Sequence, residues 1–314
     1  MAKQPRVLAA RCQKPGNWNE SQITKAITRC GYVLGEIKED GFRFHAYMHE
    51  GEVRVITREG IEIRSLENRK RYLRGLLETL PAGFYVDGEV TIPGIPFSEA
   101  SGILRRFEAL PVEGGHITMF HVWDTAPIEA LTGEKPFALE YAFRKQLLVR
   151  KMQEVPYPSI FVRYVEARQL RSIADCHEFF EFARSLKKEG AVIKTPDDGT
   201  KNGKVAGWWK LKPEDTCDGR IVGLVWGTEG LANAGKVIGF EVLLENGVRT
   251  NVTGITQAQM AEFTATVLSC TGGKNPYQNR YVEIEFMEYT EDGSLRHGNF
   301  VRFRDLEYAP GIKA

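Results

Sequence analysis

The chain has 314 residues, 42% apolar and 26% charged, with 42 basic against 41 acidic side chains and a formal net charge of +1. That balance excludes a disordered or membrane-embedded chain, and the length suits two domains that each bury a core. A charge so near zero gives no overall pull on nucleic acid, so any phosphate binding must come from local clusters of cations. The five cysteines (Cys12, Cys30, Cys176, Cys217, Cys270) form no C-x-x-C pair, which argues against a zinc knuckle or a disulfide framework. The segment MAKQPRVLAARCQKPGNW is basic but lacks the apolar run of a signal peptide, so the cytoplasm is the expected compartment.

From the N-terminus, NESQITKAITRC over 19–30 places Ile23, Ala26, Ile27 and Cys30 at helical spacing before Gly31, which predicts a packing helix. Between Tyr32 and Ile63 the runs GYVLGEIK, FRFHAYMH, GEVRVIT and IEIRS are separated by Asp-Gly or Glu-Gly, the pattern of a β-meander. A helix follows over 68–80 with Leu73, Leu76, Leu77 and Leu80 inward, then a strand at FYVDGEVTI. Strands at ITMFHVW and AVIK and helices over 139–154 and 172–188 complete an α+β domain, 1–213, with Pro213 at the break. Beyond it RIVGLVWG, KVIGFEVLLENGVRTNVTG, RYVEIEFMEY and NFVRFRDLEY read as strands around a helix near 256–268. These are the parts of a small OB-fold β-barrel over 214–314.

The motif that stands out is Lys38-Glu39-Asp40-Gly41-Phe42-Arg43 at the end of a predicted strand. K-x-D-G alone arises by chance in about one chain in fifteen of this length. Its companions decide: Arg58-Glu59-Gly60, Asp87-Gly88-Glu89, Glu189-Gly190-Ala191-Val192-Ile193-Lys194, Lys210-Leu211-Lys212 and RHGNFVRFR follow in that order. Cations also crowd at Arg64, Arg69, Lys70, Arg71 and Arg74 and at Arg105-Arg106, where a solvated helix face is the ordinary alternative to phosphate binding.

This ordered set resembles the nucleotidyltransferase superfamily of DNA ligases, RNA ligases and capping enzymes. Over nearly the whole chain it is similar to the short ATP-dependent DNA ligases of T-seven-like bacteriophages, most plainly in GYVLGEIKEDGFR, SGILRR, KNGKVAGWWKLKPE, GLVWGTEGLANAGKVIGFEVLLENG and DGSLRH. The resemblance implies a nucleotidyltransferase (adenylation) domain followed by an OB-fold, and an enzyme that seals nicked double-stranded DNA with ATP and Mg²⁺. A lysyl-AMP and a DNA-adenylate would be its intermediates, and the protein would be a monomer. The loops before FHVWD and after Cys270 are shorter than in those relatives. A swinging barrel would need a hinge, expected over Pro213-Glu214-Asp215-Thr216-Cys217-Asp218.

Each residue type suits its expected task. An ordinary lysine amine is only about 0.1% neutral near pH 7.5, so a nucleophilic Lys38 needs neighbours that help it lose a proton. Glu89 and Glu189 supply hard oxygens for a ribose and a divalent ion, with Asp40 a further metal or nick contact and an Asp-Gly turn its structural rival. Lys210 and Lys212, two apart on a strand, share a face toward the triphosphate. Arg43 and Arg58 match positions that grip the 5′-phosphate of the nick, a task suited to a forked guanidinium. The backbone at Glu36 and Ile37 would read the adenine edge and Val192 would cover one face of the ring. For the other face the resemblance favours His121, whereas strand alternation puts Trp123 on the same side and Phe120 opposite. Arg296 and Arg302 would orient the pyrophosphate, although Gly298 stands where a proline is common and Asp305-Leu306 replaces a closing Asp-Lys. The rivals are an RNA ligase or capping guanylyltransferase, an NAD-dependent ligase, and a non-catalytic OB-fold DNA-binding protein.

Overall fold

The computed structural model describes residues 6–112, 114–213, 215–270, 274–290 and 292–304. They fall into two units, 1–212 and 213–314. In chain order the strands of the first are β1 (Gln13–Asn17), β2 (Val33–Lys38), β3 (Phe42–His49), β4 (Glu52–Thr57), β5 (Phe84–Thr91), β6 (Met119–Pro127), β7 (Val162–Tyr164), β8 (Ala167–Leu170), β9 (Gly190–Lys194) and β10 (Gly203–Leu211). Its helices are α1 (Glu20–Cys30), α2 (Arg71–Thr79), α3 (Phe97–Leu104), α4 (Ile128–Thr132), α5 (Tyr141–Gln153) and α6 (Ile173–Ser185). The strands form two five-stranded sheets, ordered β1-β10-β9-β2-β8 and β4-β3-β5-β6-β7.

Local chemistry sets the helix ends. Asn19 accepts a hydrogen bond from the Gln22 N–H to start α1, a cap worth about 1 kcal/mol, and Gly31 stops it in the left-handed conformation. The expected meander over 32–63 is not one sheet. β2 pairs with β9 and β8, whereas β3 pairs with β4 and β5, so the Glu39–Gly41 turn steps from one sheet to the other. IEIRS contributes only short bridges before a 3-10 helix, Arg64–Arg69, which replaces the first turn of the helix expected over 68–80. Leu73, Leu76, Leu77 and Leu80 are buried as the spacing requires.

The second unit holds β11 (Asp215–Trp226), β12 (Val237–Leu244), β13 (Arg249–Val252), α7 (Gln257–Ser269), β14 (Tyr281–Phe286), a small hairpin β15 (Glu288–Tyr289) and β16 (Leu295–Arg296), and β17 (Asn299–Phe303). Its sheet runs β13-β12-β11-β14-β17. Among the described residues the outer strands meet only around the Thr253–Asn299 bridge, where the Thr253 N–H donates to the Gly298 carbonyl and the Phe300 N–H to that of Thr253. The sheet curls as an OB-fold does but is not a closed barrel. The expected hinge must be corrected, because Asp215, Thr216, Cys217 and Asp218 are laddered to β14 as ordinary strand. Glu214, Asp305 and Leu306 lie outside the described residues.

Candidate active site

Two sheet faces in the first unit carry most of the candidate residues. In the first sheet Glu36 lies opposite Val192, which lies opposite Lys210, and Lys38 lies opposite Gly190. Strand alternation therefore puts Glu36, Lys38, Val192, Lys194 and Lys210 on one face. Ile37, Ala191, Ile193 and Trp209 point the other way, into the core against α1 and α6. In the second sheet Arg43, Glu89 and His121 form one cross-strand row. Trp123 is the extra residue of a β-bulge beside Asp87, while Phe120 packs edge-on against Phe44 in the core.

Two glycines permit the close approaches this needs. A Cβ on Gly41 would lie 2.6 Å from the Glu89 Cγ and 2.7 Å from the Val90 carbonyl oxygen. One on Gly190 would lie 2.2 Å from the Leu211 carbonyl oxygen, so the turn into β9 could no longer rest on the end of β10.

The ammonium of Lys38 donates to the Glu189 carboxylate, with both side chains largely out of solvent. Lys210 lies close enough to be affected: burial first, then Lys212, Lys204 and Lys38, lower its pKa. Burial pushes the Glu89 carboxyl up to about 7; Lys38 and Arg43 oppose this, while Glu189 and Asp87 reinforce it. Two carboxylates that repel one another beside a lysine suit a divalent cation, since Mg²⁺ takes one or two carboxylates and fills its shell with water and phosphate oxygens. Asp40, Glu89 and Glu189 do not assemble as a three-ligand site, however. Among the described residues no three His, Cys, Asp or Glu side chains converge for a metal, and Glu189 turns to Lys38 instead.

Arg43 is held by groups of its own chain. Its guanidinium clasps Asp87 at 2.6 and 3.0 Å, donates to the Gln13 carbonyl at 2.7 Å and stands 5.6 Å from the centre of the Trp123 ring. Arg58, exposed, pairs with its neighbour Glu59. His121 shares a hydrogen bond of 3.0 Å with Thr91 and lies 3.7 Å from Glu39, which also binds Lys188. In the second unit Arg296 pairs with Glu288 and Arg302 with Glu283, and His297 adopts a left-handed turn conformation next to Gly298.

Sequence patterning did not reveal the buried polar network behind Lys38. Glu36, 2% exposed, receives Lys145 and Lys194 at 2.7 Å each and the Tyr141 hydroxyl. Burial would raise the Glu36 carboxyl, but the two lysines outweigh it and hold its pKa down. Burial likewise lowers Lys194 to about 8 against the pull of Glu36. Lys194 also lies 4.1 Å from the Trp208 ring centre and 5.3 Å from that of Trp123, whose buried indole N–H has no partner among the described residues. A carboxylate in VLGEIK and a lysine ending AVIK were the available signals, polar residues inside apolar strands.

Glu89 yields a pH-dependent prediction. Its folded pKa lies above the ordinary 4.5, so the folded chain binds more protons between about 4.5 and 7 and loses stability as pH rises through that window. Glu89→Gln is expected to raise the melting temperature at pH 8 relative to the parent and to leave it unchanged at pH 4. Calorimetry at both pH values checks this; an equal shift at both would contradict it.

Known proteins are similar to this chain in sequence and in fold. Residues 18–212 match the ATP dependent DNA ligase domain family and residues 213–274 the DNA ligase C-terminal domain family. The DNA ligase of Escherichia phage T7 is 35% identical over an alignment of 344 residues, covering 94% of this chain and 96% of that protein. The DNA ligase of Enterobacteria phage T3 is 32% identical, covering 94% and 95%. The structure of the bacteriophage T7 ATP-dependent DNA ligase in complex with ATP superposes with a TM-score of 0.56 at 34% identity, over 94% of this chain and 98% of that one. A Lig E DNA ligase, 18% identical with a TM-score of 0.67 over 94% and 99% of the two chains, shares the fold.

Proposed function

This chain belongs to the ATP-dependent DNA ligases, and from that premise we propose how its residues join a 5′-phosphate to a 3′-hydroxyl at a nick in duplex DNA. Lys38 is the nucleophile. Its Nζ lone pair attacks the α-phosphorus of ATP, the bond to the bridging oxygen of the β-phosphate breaks, and pyrophosphate leaves with that electron pair. Nζ must shed a proton, and the Glu189 carboxylate is the group touching it. The AMP then passes to the 5′-phosphate of the nick, freeing Nζ, and the 3′-hydroxyl displaces AMP to close the strand.

The single observation carrying this reading is the Lys38–Glu189 contact, which joins two motifs 151 residues apart on one face with Lys210. Lys210 and Lys212 supply positive charge for the α-phosphate as charge develops there, and Arg296 and Arg302 do so for the pyrophosphate. Mg²⁺, taken up by Glu89 beside the Lys38–Glu189 pair with water and phosphate oxygens completing its shell, would supply charge neutralisation on the triphosphate. Glu89 also serves the ribose. Val192 and His121 bracket the adenine, and the edge of the ring meets the backbone at Glu36 and Ile37, where the β8 ladder stops. Arg43, fixed by Asp87, and the exposed Arg58 meet the nick phosphate. The protein works as a monomer in the cytoplasm of a bacterial host.

The test offers the protein Mg²⁺ and α-labelled ATP, GTP or NAD, then nicked DNA or nicked RNA. Covalent label from ATP alone, discharged into sealed DNA, is the expected result. Label from GTP alone, or transfer only to RNA, would overturn it in favour of a capping enzyme or an RNA ligase.

A further inference from the structure

A cleft of about 770 Å³ in the first unit has a wall that carries six arginines against three glutamates. Gly41, Arg43 and Glu89 belong to its lining, so it continues directly from the site of chemistry. Arg43 and Arg58 have carboxylate partners in Asp87 and Glu59. Arg64, Arg105 and Arg106, all exposed, show no carboxylate within ion-pair distance among the described residues. Arginines are expensive to gather without anions, and this chain has almost no net charge to spare.

Two of these guanidiniums are steadied by rings rather than by acids. Arg105 lies 5.7 Å from the centre of the Phe42 ring and Arg64 lies 5.8 Å from that of Phe107. Ring contact restrains the guanidinium while leaving its N–H edge available, the preparation that suits a phosphate ligand. The C-terminal end of α3 favours a cation at Arg105 through its dipole. It does not account for Arg64, which comes from the separate 3-10 helix.

We propose that Arg64, Arg105 and Arg106 form a track for the backbone of the DNA strand that carries the 5′-phosphate, gripping phosphates beyond the reactive one. The proposal rests on the assignment of Arg58 to the nick phosphate. A strand anchored by its terminal phosphate presents its next phosphates along the same wall, whereas the 3′-hydroxyl end brings no terminal phosphate.

Removing one cation from its phosphate on duplex DNA lowers the slope of log K against log salt by about 0.9. The protein, incubated with ATP and Mg²⁺, is titrated with a nicked duplex lacking the 3′-hydroxyl, so that sealing cannot follow. R105A/R106A is expected to reduce the slope by about 1.8 and R64A by about 0.9, while the rate of self-adenylation stays at the parent value. R105K/R106K, which keeps the charge, is expected to keep the slope. Shortening the duplex to about four base pairs on the 5′-phosphate side should erase the difference between parent and R105A/R106A; shortening the 3′-hydroxyl side should not. An unchanged slope in a variant that still adenylates itself, or a difference erased from the 3′-hydroxyl side, would overturn the track. If R105A/R106A fails to adenylate, the single variants R105Q and R106Q are read instead, each expected to reduce the slope by about 0.9. Failure of the parent to take AMP would refute the nucleophile assignment, and the binding slopes would still decide the track.

Discussion

Lys38→Ala is expected to abolish covalent labelling by ATP, by at least about 10⁴-fold, while the variant still closes a nick whose 5′-phosphate already carries AMP. The first step makes a bond to Nζ itself, and no neighbour can replace an atom that becomes part of the product. Lys210 shares the face, but it projects from a different strand, two strands away from β2. In the sealing step AMP is the leaving group and the 3′-hydroxyl the nucleophile, so the loss there should be far smaller. Lys38→Arg separates nucleophile from ion pair, since a guanidinium can still meet Glu189 but will not attack phosphorus at neutral pH. Both variants should therefore be dead in adenylation, and the arginine variant should keep the parent's stability. Mass mapping of the AMP-bearing peptide provides the check. Label on the Lys38→Ala variant, or on any other lysine of the parent, would refute the assignment.

The residues nearest this prediction were the most legible in the sequence. Lys38, Glu89 and Glu189 lie in motifs whose glycines have a steric reason to be there, because Gly41 and Gly190 admit backbones too close for a side chain. Trp208 and Trp209 are 4% and 3% exposed on opposite faces of β10. Sheet membership was not legible. The Asp-Gly after Lys38 looks like a hairpin turn, yet the strands on either side belong to different sheets because β9, far along the chain, supplies the partner of β2. Periodicity reports which face a residue takes, not which strand lies alongside. For the same reason β1 (QKPGN) and β8 (ARQL) escaped notice: they are outer strands with mostly polar sequences, held by hydrogen bonds rather than by an apolar pattern. The role of Arg43 was only half visible, since a forked guanidinium suits Asp87 as well as it suits a phosphate.

Glu36→Gln carries the largest expected effect on stability, about 3–5 kcal/mol near pH 7, because it leaves Lys145 and Lys194 buried without their anion. The amide can still accept from the Tyr141 hydroxyl, so the loss reports charge rather than packing. Its pH dependence has a definite sign. Lys194 titrates in the folded parent at about 8 against an ordinary 10.5, so the folded chain binds fewer protons across that window and stability rises with pH from about 8 upward. Without Glu36, which holds that value up, the lower edge of the window moves below 8. The variant then recovers stability by releasing the Lys194 proton at pH values where the parent keeps it. The gap between the two should be widest near pH 6 and should narrow steadily toward pH 8. Urea unfolding at these pH values, followed by tryptophan fluorescence, reads mainly the first unit, which holds Trp18, Trp123, Trp208 and Trp209, with Trp226 the one tryptophan in the second. A gap below about 1 kcal/mol, or one that does not change with pH, would mean that water or a local shift already compensates the two lysines. Glu36 would then be an adenine contact without being the electrostatic anchor of the fold beneath it.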